Sequence, residues 1–148
     1  MLIAGGTDLV PRLKAAAPQA RPRLLVTLRG IPELTELICD EVSGLRIGAM
    51  VRLADVAVHA GVCTLYPAVA QAAAATGTPQ IRNMGTVVGN LCNATPSADN
   101  APSLLALDAV LEVAGPAGRR ALPLADFFQG PGTTVLGPAE IVTAVTVA

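Results

Sequence analysis

The sequence predicts an α+β or mixed α/β fold with mainly hairpin-connected strands, and three observations carry that expectation. Hydrophobic residues fill 52% of the 148 positions and charged residues only 14%, enough apolar mass for one buried core. Short β-branched runs such as "AVLEVAG" and "IVTAVTV" are set apart from helical patterns by Gly- and Pro-rich turns. Tight turns, at Ser43-Gly44 and in "GPAGR", join neighbouring strands directly, which gives a mixed order of helices and hairpins. The chain reads as one domain over residues 1–148.

Taken in order, "LIAGG" opens as a strand that breaks into a glycine turn at Gly5-Gly6. "LVPRLKAAAPQA" then restarts as a short helix stopped before Pro18. "RLLVTLRG", Arg23–Gly30, is apolar and β-branched and predicts a buried strand. After "IPELTEL", the stretch "ICDEVSGLRIGAM" predicts a hairpin turning near Ser43-Gly44. "VRLADVAVHAG" spaces Leu53, Val56 and Ala57 as a helix does, with Gly61 as its stop signal. His59 falls near the end of that helix, where a partly positive ring suits the C-terminal dipole. "LYPAVAQAAAATG" is a stronger helix, with Pro67 in its first turn and Gly77 as terminator. Thr78 to Pro102 has little periodicity and is rich in Thr, Asn, Gly, Ser and Pro; it reads as a long loop, and such loops tend to be functional. "SLLALDA" predicts a short helix before the strand "AVLEVAG", the turn "GPAGR" and the strand segment "RALPL". A second Gly/Pro-rich loop, "ADFFQGPGTTVLGPAE", precedes the closing strand "IVTAVTV".

Composition removes several classes of function. Ten basic against eleven acidic residues leave a formal net charge of −1, without the basic excess of a nucleic-acid binder. Aromatic residues are 2% of the chain and tryptophan is absent, which disfavours base stacking on single strands. No apolar run approaches the ~18–20 residues that span a bilayer, and the N-terminus lacks the features of a signal peptide. Cys39, Cys63 and Cys92 form no CxxC pair and read as free thiols in a reducing cytoplasm. One histidine cannot anchor a His-rich metal site.

Two polar segments stand out, Ile3–Leu9 and Thr86–Asp99. Paired glycines at Gly5-Gly6 can present bare backbone N–H groups to an anion. "TVVGN" followed by "NATPSAD" has the same character: Thr86, Asn90, Asn93, Thr95 and Ser97 add hydrogen-bonding side chains, and Asp99 adds a carboxylate suited to hydroxyls. Two such loops can hold a dinucleotide between them. The same residues can equally cap helices and close turns, and the residues alone leave both roles open.

Four stretches, "LIAGGTDLVPRLK", "GLRIGAMVRLADVA", "IRNMGTVVGNLCNATPSADNAPSLLALDA" and "FFQGPGTTVLGPAEI", occur in this order along nearly the whole chain. In that order they resemble the FAD-binding medium subunit, or FAD domain, of the molybdenum hydroxylases. That family includes xanthine dehydrogenase, aerobic carbon monoxide dehydrogenase and 4-hydroxybenzoyl-CoA reductase. The resemblance implies a vanillyl-alcohol-oxidase-type (PCMH-type) FAD fold, in which a small parallel sheet and a larger, mainly antiparallel sheet with helices enclose the cofactor. It places the FAD pyrophosphate on Ala4, Gly5, Gly6, Thr7 and Asp8, with Leu9 beside them, and on Thr86, Val87, Val88, Gly89 and Asn90. It further matches Asp99 to a cofactor-contacting aspartate and Val142 to a hydrophobic residue lining the flavin ring. No catalytic acid, base or nucleophile is implied here, since the flavin carries the redox chemistry. The implied role is electron relay between the [2Fe–2S] clusters of a small subunit, which serve a large molybdopterin subunit, and an acceptor such as NAD or a quinone.

The chain departs from the family pattern in three places. Met1 lies directly on a strand that the family precedes with a further strand–helix–strand unit, and the family continues beyond "AEIVTAVTVA". Val88-Gly89 stands where Gly-Gly is usual; a valine at positive φ would be strained, so the loop is expected to shift or the cofactor affinity to fall. One relative carries a [4Fe–4S] cluster on an insertion in the second loop; this chain lacks the insertion, and Cys92 alone cannot hold a cubane. The departures leave a second reading open, a non-catalytic remnant or partner-interaction module that binds no FAD alone.

Overall fold

The computed structural model describes residues 1–148. A short parallel pair leads the chain: β1 (Leu2–Ile3) lies beside β2 (Val26–Thr27), with helix α1 (Leu9–Ala15) and a 3-10 turn at Pro18–Ala20 between them. The main body is a five-stranded antiparallel sheet. Its strands are β3 (Leu37–Asp40), β4 (Gly44–Gly48), β5 (Val110–Gly115), β6 (Gly118–Pro123) and β9 (Ile141–Val147), in the order β3-β4-β9-β5-β6. A small hairpin of β7 (Phe128–Gly130) and β8 (Thr133–Thr134) completes the strands. The α+β class and the pairing of a small parallel sheet with a larger antiparallel one match the expectation.

The last strand in sequence sits in the middle of the sheet, between β4 and β5. That place explains its composition, because "IVTAVTV" is nearly continuous in apolar residues where an edge strand would alternate. Opposite Glu112 and Val113, β9 carries a bulge at Thr143, whose hydroxyl donates to the Glu112 carbonyl at 3.2 Å. The extra residue shifts the alternation, so that Val142 rather than Thr143 is buried.

Helices pack on one face of this sheet. They are α2 (Leu53–Val58), α3 (Ala60–Leu65), α4 (Pro67–Ala75), α5 (Pro79–Arg82), α6 (Val87–Asn93) and α7 (Asn100–Ala106). Their inward residues Val56, Val62, Val69, Leu91 and Leu104 meet Leu45, Ile47, Leu111, Val145 and Val147 of the sheet in one core, sealed near β7 by Phe127. On the sheet's other face Arg46 bridges Glu112 at 3.0 Å and Glu36 at 2.9 Å.

The structure corrects three expectations. The run Arg23–Gly30 forms only the two-residue β2 and is exposed, because no second layer covers it: Leu24 is 67% accessible. The helix after Val51 does not run to Gly61; it ends at His59, and Gly61 lies inside α3, where its bare Cα packs beside Cys39. His59 stands at the end of α2, as expected, and also caps α3 by accepting the Val62 N–H on Nδ1 at 3.3 Å. Thr78 to Pro102 is not one long loop: it holds the short helices α5 and α6, each capped by threonine, and the start of α7, with Thr78 accepting from Ile81 N–H and Thr86 from Gly89 N–H.

Candidate functional site

Between β1 and α1 the chain turns through Ala4, Gly5, Gly6, Thr7 and Asp8, and none of these five N–H groups donates to any acceptor within the chain. Consecutive unpartnered donors on one loop make a partly positive surface. The loop can lie open because it is braced from behind. Gly5 packs on the turn before α6, where a Cβ would overlap the Met84 carbonyl oxygen and fall 2.8 Å from Gly85 Cα. Only glycine permits that approach.

Across from this loop stands the start of α6. Thr86 Oγ1 accepts the Gly89 N–H at 3.0 Å and fixes the first turn, while the Thr86 and Val88 N–H groups donate to nothing in the chain. The two loops and the start of β9 enclose a cavity of about 420 Å³, within the range of small-molecule sites. Ala4, Gly5, Gly6, Thr7, Asp8 and Leu9 line it from one side and Thr86, Val88, Gly89 and Asn90 from the other, with Val142 at its β9 wall. Eleven of the thirteen expected positions thus line one cavity.

Two predicted positions fall outside that lining. Val87 is fully buried in the core, because the first turn of α6 directs it inward with Leu91. Asp99 is exposed at the start of α7 and makes no side-chain capping bond. The valine at position 88 is not strained: it lies inside α6, and the non-glycine residues with positive φ are Ala94 and Asp108. Being helical, Val88 needs none of the freedom a glycine offers.

Several cavity residues gave no signal in the sequence. Arg12, on α1, reaches across to Asn93 Oδ1 at 3.4 Å and sets a cation at the rim. Glu140 also lines the cavity, held by Arg120 in a two-pronged pair at 2.8 and 2.9 Å and by the Gly137 N–H at 2.9 Å. Those donors, Arg120 first and then Gly137, hold its carboxyl down to about 2, so the charge is fixed and already neutralised by a partner. Cys92 forms part of the wall, its thiol pushed up to about 12 by burial, and stays an uncharged apolar surface. Arginines at such distances from the glycine loop have no fixed spacing to read. The cavity can therefore take an elongated molecule with an anionic middle, against bare N–H groups, and an apolar end against Val142 and Ile141.

Comparisons with known proteins agree with this geometry. The profile of the family described as FAD binding domain in molybdopterin dehydrogenase matches residues 1–147. Over 143 residues the chain is 36% identical to the xanthine dehydrogenase FAD-binding subunit of Escherichia coli O157:H7, covering 97% of this chain and 48% of that one. It is 35% identical to the carbon monoxide dehydrogenase medium chain of Hydrogenophaga pseudoflava, over 99% of this chain and 50% of the other. Among solved structures, a carbon monoxide dehydrogenase from Hydrogenophaga pseudoflava superposes with a TM-score of 0.92 at 34% identity, covering 99% of this chain and 50% of that one. Quinoline 2-oxidoreductase from Pseudomonas putida 86 gives a TM-score of 0.91 at 30% identity, again over 99% and 50%. The chain spans about half the length of the relatives it matches.

Proposed function

The chain belongs to the family of FAD binding domains in molybdopterin dehydrogenases, and on that premise we propose that its two loops hold the diphosphate of FAD. One observation carries the reading: five consecutive N–H groups, Ala4 to Asp8, that no acceptor in the chain satisfies. Charge-assisted hydrogen bonds to a diphosphate answer that need, and a neutral ligand would not use all five. Gly5 fits as well, because the bare backbone that meets Met84 also leaves the donor row unshaded by side chains.

The chain's residues then divide the work. The first loop and Thr86, Val88, Gly89 and Asn90 position the phosphates, Arg12 adds a cation beside them, and Val142 with Ile141 gives the flavin an apolar wall. When bound, the flavin supplies the redox chemistry; the protein sets its place and surroundings. We place the chain, as a single domain over 1–148, in a xanthine dehydrogenase- or carbon monoxide dehydrogenase-type oxidoreductase. There it relays electrons between the [2Fe–2S] clusters of a small subunit, fed by a large molybdopterin subunit, and an acceptor such as NAD or a quinone. No helix is long and apolar enough to cross a membrane; we place the complex in the cytoplasm.

The test is a visible absorption spectrum of the purified chain before and after incubation with FAD and desalting. Retained flavin bands support the reading, and a colourless protein overturns it for this chain. In the second case a module that only contacts partner subunits becomes the better account. One feature favours that alternative: Leu24, Leu25 and Val26 lie side by side and exposed on β2 and its approach.

A further inference from the structure

Behind the second loop sits a buried amide that the proposed binding does not yet use. Asn100, on α7, is 1% exposed, and its Nδ2 makes two hydrogen bonds of 3.0 Å, one to Thr76 Oγ1 and one to Asn90 Oδ1. Its own Oδ1 is buried without any partner. A buried acceptor left bare is costly and rare in native proteins. The amide is nevertheless locked in this orientation. Thr76 spends its one hydroxyl hydrogen on the Ala72 carbonyl at 2.9 Å, so towards Asn100 it can only accept. Asn100 must therefore present its nitrogen, and its oxygen is stranded as the consequence.

The second hydrogen of that nitrogen decides how Asn90 stands. Asn90 lines the cavity, its Oδ1 is taken by Asn100, and its Nδ2 makes no hydrogen bond within the chain. An asparagine whose oxygen is engaged from behind keeps its amide donors for whatever fills the cavity. Without Asn100 the Asn90 amide is free to turn over, and half of its orientations would offer an oxygen to the anion. We infer that Asn100 is a positioning residue for FAD: through the chain Thr76–Asn100–Asn90 it fixes the Asn90 amide as a donor to the cofactor, at the expense of its own unsatisfied oxygen. This inference rests on the FAD reading given above.

The arrangement predicts effects of opposite sign on folding and on binding. Asn100→Leu is close in shape and removes the stranded oxygen, so the cofactor-free chain keeps or gains thermal stability, whereas a purely structural residue would lose it. The same substitution weakens FAD binding about tenfold, the ordinary worth of one well-placed hydrogen bond. The experiment titrates FAD into the chain by flavin fluorescence and follows thermal unfolding without FAD, for wild type, Asn100→Leu, Asn90→Ala and the double variant. In the Asn90→Ala background, Asn100→Leu is expected to change FAD affinity by less than about twofold, because the group it acts through is gone. Asn100→Ala, which needs no extra room, supplies the same binding comparison if the leucine variant does not fold.

Unchanged affinity in Asn100→Leu, or an equal loss with and without Asn90, overturns the positioning role while wild-type binding still upholds the FAD reading. A wild-type chain that takes up no FAD overturns both. A tenfold loss confined to the Asn90 background, with apo stability retained, establishes the role.

Discussion

At Gly5 two stretches of backbone touch where no side chain fits, and the cavity's donor row depends on that contact. Gly5→Ala would drive a methyl into the Met84 carbonyl, which is main chain and cannot swing aside. Overpacking of this kind costs about 1–3 kcal/mol, and here the strain falls on the loop that presents the N–H groups. The expected outcome is a small fall in thermal stability and loss of FAD retention after desalting; a yellow Gly5→Ala protein would remove the loop from the site. Glu140 gives a second prediction at this scale. Its carboxyl sits at about 2, below its ordinary value of 4.5, because Arg120 and then the Gly137 N–H hold the charged form. A lowered folded value means that the pair stabilises the fold fully above pH 4.5 and loses that contribution as the pH falls towards 2. Glu140→Gln should be the less stable protein at pH 6, with the difference closing by pH 2 in parallel denaturant titrations. A difference independent of pH would mean that the pair adds nothing through charge.

Among the elements, α6 shows what holds so short a helix. Seven residues cannot form a stable helix on propensity, so capping and packing must do it. Thr86 does both, burying its methyl and accepting the Gly89 N–H, and a Cβ on Gly89 would meet that same hydroxyl at 2.7 Å. Thr86→Val keeps the shape and loses the cap, a change worth about 1 kcal/mol in chemical denaturation. Thr86→Ser should recover most of that loss, and equal stabilities across the three proteins would show that packing alone holds α6. The same element explains what was legible. The strands β4, β5, β6 and β9 and the helix α4 could be read from the sequence because period, turn residues and Pro67 agreed. The helices α5 and α6 could not: at four and seven residues they carry no full apolar period, and only the Thr78 and Thr86 caps mark them. β2 misled for the opposite reason, since an apolar run reports that a residue can be buried and not that a layer is present to bury it. At the site, glycine and Thr-Val-Val-Gly-Asn spacing revealed the loops, whereas Arg12, Thr76, Glu140 and Asn100 depend on contacts made across the chain.

On the scale of the molecule, burial divides the chain into two unequal parts. No residue from Met1 to Gly30 is buried, while every core residue lies from Leu34 onward. The first thirty residues are tied to the rest by few contacts: Gly5 against Met84 and Gly85, Arg12 to Asn93 at 3.4 Å, and Leu28 beside the core. Within them, β1 and β2 pair over only two residues each, Leu2 with Val26 and Ile3 with Thr27. Such a segment opens locally at a fraction of the global cost. Amide hydrogen exchange should therefore show weak protection through β1, α1 and β2, and exchange limited by global unfolding in β4, β5 and β9. In the proposed binding mode FAD would lie across the seam between the two parts, and would then stabilise the closed arrangement more than the body. At one hundred times its Kd, a ligand adds about 2.7 kcal/mol to the state that binds it, roughly a hundredfold in protection. That gain should appear in the amides of Ala4 to Asp8 and spread along α1, with little change in β5. Equal protection of the two parts without FAD would show that burial does not set local stability here, and a gain confined to the main sheet would place the cofactor away from the glycine loop. If both patterns hold, the thirty-residue segment is a flap that the cofactor itself closes, and flavin binding is what makes one folded unit of this chain.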